Sequence, residues 1–426
     1  MSASAGGVFS GIRVLEFGQY VAVPYCAELF AHGGADVIKV EPITGDATRA
    51  NSAIIPGEGR QYIIKNRGKQ GIPIDLATPE GRDVARKLAL TCDVILSNMR
   101  PGLIAKIGVG YESLAAENPR IIFGEISGFG SEGPFGNKAA LDLVVQAASG
   151  LMISGRGFDG HRPLGHEAFL TDYTSAALLA FAVASALFVR ERTGRGQFVS
   201  TSLFQAALTL QHGNGNVIDA VDSWKRELKD WLESEHPPLD EAAARRSDRL
   251  ASDRWFFNTF ETADGVVTVT APDPLHGAFA AVLGIDDPML SDPSFVTPDD
   301  PRPHLAALTR KARDAVKAWR TADLIDRLDS EGIPCARVAL PEEALLGEHA
   351  AANGFVETFD HPAVGPVTLP TAPVRFSSSE YAAAHTSAAY GEHTMDVLRG
   401  IGLTQAQIDA LIAAHIVGMP DQSPYH

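Results

Sequence analysis

Strand and helix signals alternate along the first two hundred residues, and this alternation restricts the possible folds more than any other feature of the chain. Short apolar runs at 12–16, 36–40, 72–76, 93–97 and 121–126 read as strands. A helical pattern at 21–30 stops at Gly33-Gly34. Thr78-Pro79-Glu80 opens another helix that runs to about residue 90, with Thr as cap and Pro in the first turn. Parallel strands need such crossover helices, so the pattern calls for a parallel sheet with helices on its faces.

The texture changes after Gln211. Residues 224–254 are dense in charge around Pro237-Pro238 and read as exposed helices with a connector. A strand at 266–270 and helical patterns at 301–328 follow. The expected organisation is 1–224 for the N-terminal part of a large α/β domain, 225–330 for a smaller α+β domain, and 331–426 for a linker and return to the large domain. That last part has strand signals at 355–358 and 367–369. Its helix starts at Thr404, with Gln407 at capping-box spacing.

A chain of 426 residues with 52 acidic and 36 basic side chains carries a net charge of -16. A nucleic-acid binder needs a broad basic face, so that class is excluded, while a local basic patch for a phosphate-bearing small molecule is not. Arg60, Lys65, Arg67 and Lys69 form one such cluster, and Arg100 with Lys106 a second; scattered surface charge is the plainer reading of both. Cys26, Cys92 and Cys335 form no CxxC pair and no Cys/His cluster, so no metal is expected and a reducing cytoplasm suits the chain. Residues 1–10 do not read as a secretory leader. The apolar run 173–189 is shorter than the ~20 residues of a bilayer span and reads as a buried helix, so no membrane is expected.

The turn after the first strand, Phe17-Gly18-Gln19-Tyr20-Val21, lacks the GxGxxG of a dinucleotide fold, and neither a Walker loop nor a GxSxG elbow occurs. His32-Gly33-Gly34 reads as a helix end rather than an oxyanion loop. Asp172 stands immediately before the long apolar run, the place of an N-cap. A helix N-terminus also favours negative charge, so the same carboxylate can stay ionised and act as a nucleophile. On the residues alone both roles stay open.

The block GIRVLEFGQYVAVPYCAELFAHGGADVIKVEP at 11–42 resembles the opening of the class III CoA-transferase family, which includes formyl-CoA and carnitine CoA-transferases and α-methylacyl-CoA racemases. The likeness continues in Gly45-Asp46 with Arg49, in Asn66-Arg67-Gly68-Lys69 with Asp75-Leu76, and in 98–102 with Lys106 and Gly108. It runs on through Ser127-Gly128-Phe129-Gly130, DLVVQAASGLM at 142–152, 192–197 after Asp172, Asp264-Gly265, Gly332-Ile333-Pro334 and 365–377.

This resemblance implies a large Rossmann-like domain built from both chain ends, a smaller inserted domain, and an interlocked homodimer. It makes Asp172 the catalytic aspartate and coenzyme A, as acyl-CoA, the substrate bound with a carboxylic acid acceptor. By matching motif, Gln19, Tyr20, Val21, Ala22, Asn98 and Lys106 contact the coenzyme. Pro42 stands where some members have an arginine, so Arg49 or Arg100 is expected to supply that charge. The turn 127–130 is a candidate source of oxyanion donors. The stretch SDRWFFNTF at 252–260 lacks the glycine-rich flap of formyl-CoA transferases, which argues against formyl-CoA. In the racemase branch a Gly-His-Asp segment supplies a second base; here it is Ala140-Leu141-Asp142, with His161 and His166 nearby. Leucine cannot move a proton, so acyl transfer is preferred to racemisation, and a non-catalytic CoA-binding protein is the remaining alternative.

Overall fold

The computed structural model describes residues 6–100, 102–154, 157–211, 215–250, 255–292, 294–298 and 300–425. The chain divides into two compact units, Met1–Val217 with Ala351–His426, and Ile218–Ala350. The first unit holds a sheet of β1 (Arg13–Phe17), β2 (Asp36–Pro42), β3 (Lys69–Ile74), β4 (Val94–Ser97), β5 (Ile122–Ser127) and β6 (Phe198–Ser202). All neighbours are parallel, in the order β6-β5-β4-β1-β2-β3. This is a doubly wound order, and its reversal between β1 and β4 opens a crevice at the carboxyl ends of those strands.

Helices follow the strands: α1 (Ala22–His32), α2 (Arg60–Lys65), α3 (Pro79–Leu90), α4 (Leu103–Lys106), α5 (Asp142–Ala148), α6 (Leu170–Thr193) and α7 (Leu203–Leu210). Side chains alternate across the strands, so the sheet feeds two cores. On one face Val14, Val37, Leu96 and Ile122 pack with Val23 and Phe30 of α1 and with Leu179 and Val183 of α6. On the other, Leu15, Ile38, Ile72 and Ile95 pack with Val84 and Leu88 of α3 and with Val397, Leu398, Ile408 and Val417 from the end of the chain. The expected caps are in place: Thr78 accepts from the Gly81 amide, and Thr404 with Gln407 forms a reciprocal box.

Three expectations need correction. β3 begins at Lys69, not residue 72, because Lys69, Gln70 and Gly71 pair with Val37, Ile38 and Lys39 despite their polarity. β6, with sequence FVSTS, carries no apolar run and was not expected. The apolar run 173–189 is part of α6, a helix of 24 residues that is long and apolar enough to cross a membrane by length and composition. It is not wholly buried: Thr171, Ser175, Leu179, Val183 and Ala186 line its packed side, while Phe181 and Phe188 are 74% and 66% exposed.

The second unit opens with the charged helix Asp219–Glu235, which has no buried residue. The boundary expected at 225 thus falls inside a helix. Its small antiparallel sheet joins Phe257–Glu261, Val266–Thr270 and Cys335–Arg337 around a core of Trp255, Phe260, Phe279, Leu308 and Ile333. The boundary expected at 330 is therefore early, since a three-residue strand has too little pattern to show in sequence. Of the stretch 252–260, residues 252–254 lie outside the described residues.

Candidate active site

The loop that leaves β1 meets the loop that leaves β4 at the crevice. The Gln19 amide donates to Asn98 Oδ1 at 3.1 Å, and Asn98 Nδ2 donates to the Gln19 carbonyl at 2.9 Å. Two residues 79 apart in sequence are thus locked side by side. Tyr20, next after Gln19, has φ 65°, a left-handed conformation that costs a non-glycine residue of order 1–3 kcal/mol and tends to mark functional sites. Its ring is 40% exposed, whereas Val21 and Ala22 are buried as α1 begins. Arg100 and Lys106 are exposed nearby in sequence and make no ion pair among the described residues.

Beneath this loop lies a buried ionic layer that the sequence did not reveal. Lys39 Nζ donates to Glu16 Oε1 at 2.8 Å and to the Gly18 carbonyl at 2.6 Å, and it pairs with Asp46 at 2.9 Å. Lys69 Nζ reaches Glu16 Oε2 at 2.8 Å, the Pro24 carbonyl at 2.7 Å and Asn66 Oδ1 at 3.0 Å. Burial alone would depress the Lys39 ammonium, but the charges of Asp46, Glu16 and Glu41 outweigh it and hold its pKa above the ordinary value. The Gly18 and Pro24 contacts fix both ends of the Gln19–Val21 turn.

Arg49 belongs to this layer, and the expectation that it meets a coenzyme phosphate does not fit the geometry. Its guanidinium is fully buried and bidentate on Glu41, with Nε–Oε2 and Nη2–Oε1 both 2.8 Å. It also donates to the Ala388 carbonyl and lies 3.6 Å from the centre of the Tyr62 ring. Such a group has no free donor face for a ligand. Lys65, Arg67 and Lys69 are buried as well, so most of that basic cluster is neither a surface patch nor a phosphate site; Arg60 alone is exposed.

Asp172 is in the first turn of α6 but does not cap it. The helix begins two residues earlier, at Leu170, after Phe169, whose backbone is left-handed at φ 45°, ψ 48°. The capping acceptor comes from Asp142 at the start of α5. Its Oδ1 accepts from the Thr171 amide at 2.8 Å, the Thr171 hydroxyl at 2.6 Å and the Asp172 amide at 3.3 Å. Gln146 donates to the same carboxylate from one turn along α5, and it holds His166 through the His166 amide and carbonyl. Asp172 is thereby released from capping, with its carboxylate available for other work.

The helix terminus does not leave this carboxylate strongly acidic. Burial raises its pKa, the Asp142 charge raises it further, and the Lys65 ammonium opposes both, leaving it at about 7 against the ordinary 3.8. Perturbation of this kind is common where a carboxylate does chemistry. Tyr25 in the first turn of α1 meets Tyr173 edge-on at 4.8 Å between centroids, so the Gln19–Val21 turn and Asp172 lie at starts of touching helices. These two tyrosines, with Thr174, Ala177 and Leu178, line an open cleft of about 550 Å³.

Other expected residues fall differently. The Gly130 amide is taken up by Ser127 Oγ at 3.0 Å, so that donor of the 127–130 turn is occupied. Leu141 precedes α5 with its side chain 55% exposed and offers no base. His161 is exposed and His166 partly buried. Asp142 and Lys65 were missed as site residues, because the contacts that bring them to Asp172 span 30 and more positions in the chain and leave no spacing signal.

Residues 9–394 match the model of CoA-transferase family III. The chain is 29% identical over 416 residues to a succinyl-CoA–D-citramalate CoA-transferase of Chloroflexus aurantiacus, covering 95% of this chain and 97% of the relative. It is 30% identical over 382 residues to an acetyl-CoA:oxalate CoA-transferase of Acetobacter aceti, covering 88% and 90%. Among solved structures, Rv3272 of Mycobacterium tuberculosis superposes with a TM-score of 0.73 at 26% identity, covering 92% of this chain and 98% of that one. Relatives of this kind support coenzyme A transfer between acids and lend no support to the racemase alternative. With a family match across most of its length and relatives aligned nearly end to end, the chain belongs to CoA-transferase family III.

Proposed function

We propose that this protein moves coenzyme A from an acyl-CoA thioester to a carboxylic acid, with Asp172 as the nucleophile. The observation that carries the reading is the Asp172 carboxylate itself: partly buried, relieved of capping by Asp142, and at the start of a helix that touches, through Tyr173 and Tyr25, the helix that follows the Gln19–Val21 turn. A carboxylate oxygen attacks the thioester carbonyl, the C–S bond breaks, and the coenzyme thiolate leaves a mixed anhydride. The thiolate then attacks the Asp172 carbonyl of that anhydride and the donor acid departs as its carboxylate, leaving an aspartyl-CoA thioester. The acceptor carboxylate repeats the two steps in reverse order and regenerates Asp172. Each step exchanges one activated acyl group for another, so one hard transfer is divided into easier ones.

Gln19, Tyr20, Val21, Ala22 and Asn98 would line the coenzyme, and the exposed cations Arg100 and Lys106, without an ion pair among the described residues, suit its phosphates better than buried Arg49. The exposed apolar side of α6, with Phe181 and Phe188, supports a homodimer in which a second copy covers that face. The thiols of Cys26, Cys92 and Cys335 are free, in keeping with a cytoplasmic enzyme. Incubation with acyl-CoA followed by hydroxylamine should place a hydroxamate on the peptide holding Asp172, as read by mass spectrometry. Unmodified peptide under turnover, or full transfer by Asp172→Ala, would overturn the proposal. A donor–acceptor screen that starts from succinyl-, acetyl- and aromatic acyl-CoA with dicarboxylic acids would identify the pair.

A further inference from the structure

Lys65 closes α2 and is 1% exposed, yet it differs from the other buried cations of the central layer. Lys39 touches Glu16 and Asp46, Arg49 touches Glu41, Arg67 touches Glu28, and Lys69 touches Glu16. Lys65 makes no ion pair within 4.0 Å among the described residues. Its ammonium is hydrogen-bonded to the neutral side chain of Gln61, one turn back on α2, and lies 5.9 Å from the centre of the Phe169 ring. Phe169 is the left-handed residue that starts α6, three positions before Asp172. A buried cation without a direct counter-ion is costly, and the cost has a use when its field acts on a neighbouring group.

We infer that Lys65 is a positioning residue whose ammonium, held without a direct counter-ion behind Phe169, favours the anionic form of Asp172 and so sets the acid limit of transfer. The inference rests on the reading of Asp172 as nucleophile. The charges around the pair come from every element packed on it. Lys65 faces Glu28 of α1, Asp172 of α6, Lys69 of β3 and Asp46. Asp172 faces Asp142 of α5 and Lys65, with Tyr173 beside it on α6. Asp142 pushes toward the protonated, inert acid; Lys65 is the group that opposes it. Burial lowers the Lys65 pKa to about 8, against the pull of Glu28 and Asp172. Below about 7 the nucleophile is protonated, so transfer should show an acid limb, and the charge of Lys65 sets where that limb falls.

The test compares wild type with Lys65→Met and Lys65→Arg. Transfer rate is followed from pH 5.5 to 9.5, and the Asp172 carboxyl is titrated by carbon-13 NMR, assigned by its absence in Asp172→Asn. In Lys65→Met the Asp172 midpoint should rise by about one pH unit, with roughly fivefold slower transfer at pH 7. In Lys65→Arg the acid limb and the Asp172 midpoint should stay at the wild-type position, because arginine keeps the charge. An unmoved midpoint in folded Lys65→Met overturns the inference. So does a midpoint in Lys65→Arg that rises by about one pH unit although the charge is kept, which decides the matter if the Met variant does not fold. Should Asp172→Ala transfer normally, the nucleophile reading fails, while the NMR midpoint still judges the influence of Lys65.

Discussion

Replacing Asp172 by asparagine keeps the side-chain shape and removes a charge that the fold resists. The carboxyl has a folded-state pKa of about 7 against an ordinary 3.8, raised first by burial and then by Asp142. A carboxyl raised in this way favours folding only as its protonated form. Its contribution is fully present below the unfolded value and is lost as pH rises through the folded value. The loss grows by up to about 1.4 kcal/mol per pH unit between about pH 4 and pH 7 and then levels off, for a limit near 4 kcal/mol. The side chain keeps some contact with solvent, so about half of that limit, ~2 kcal/mol, is the working expectation. Asp172→Asn should therefore be about as stable as wild type near pH 4 and more stable by ~2 kcal/mol at pH 8, while transferring no coenzyme A. Chemical unfolding of the two proteins side by side across pH 4–8 measures the difference. A gap that does not widen with pH, or an asparagine variant less stable at pH 8, would refute the view of Asp172 as a strained, function-bearing carboxylate.

Further predictions concern its neighbours. Asp142→Asn keeps the acceptor for the Thr171 amide but removes the like charge, so the acid limb of the rate profile should move to lower pH, as a pH titration of transfer would read. Arg49→Ala strands Glu41 in the interior and should cost about 3–5 kcal/mol in unfolding experiments, largely recovered in Arg49→Met with Glu41→Gln; unchanged stability with a raised KM for acyl-CoA would instead restore Arg49 as a ligand. Arg100→Ala and Lys106→Ala should each raise KM for acyl-CoA several-fold, by about 1 kcal/mol of binding, with kcat little changed and the effect weaker at high salt. Phe181→Asp with Phe188→Asp should shift the light-scattering mass from dimer to monomer, and a dimeric variant would show that another surface joins the copies.

Much of this could be read from the residues because the relevant physics is local. Helix starts at Thr78 and Thr404 are written in four-residue patterns, and the first five parallel strands in apolar runs between helices. The basic residues at 65–69 show the opposite case. As a string they look like a surface patch, yet all three are buried, Arg67 against Glu28 and Lys69 against Glu16, carboxylates 39 and 53 positions away in the chain. Charge in sequence carries a sign but not a partner, and the partner decides whether it faces water or the interior. β6 was hidden for a related reason, since a Ser/Thr-rich edge strand has no periodicity until β5 supplies its ladder.

Asp172 joins the two sides of that division. Its place at the head of a long apolar helix, and the ordered blocks around it, are local facts that the chain alone determined. Its chemical state was decided by tertiary structure. Asp142 takes over the cap and repels the carboxylate, burial raises its pKa, and Lys65 draws it back toward the anion. A pKa is set by the charges and solvent within a few ångströms, and those neighbours come from α2, α5 and α6, which meet only in the folded protein.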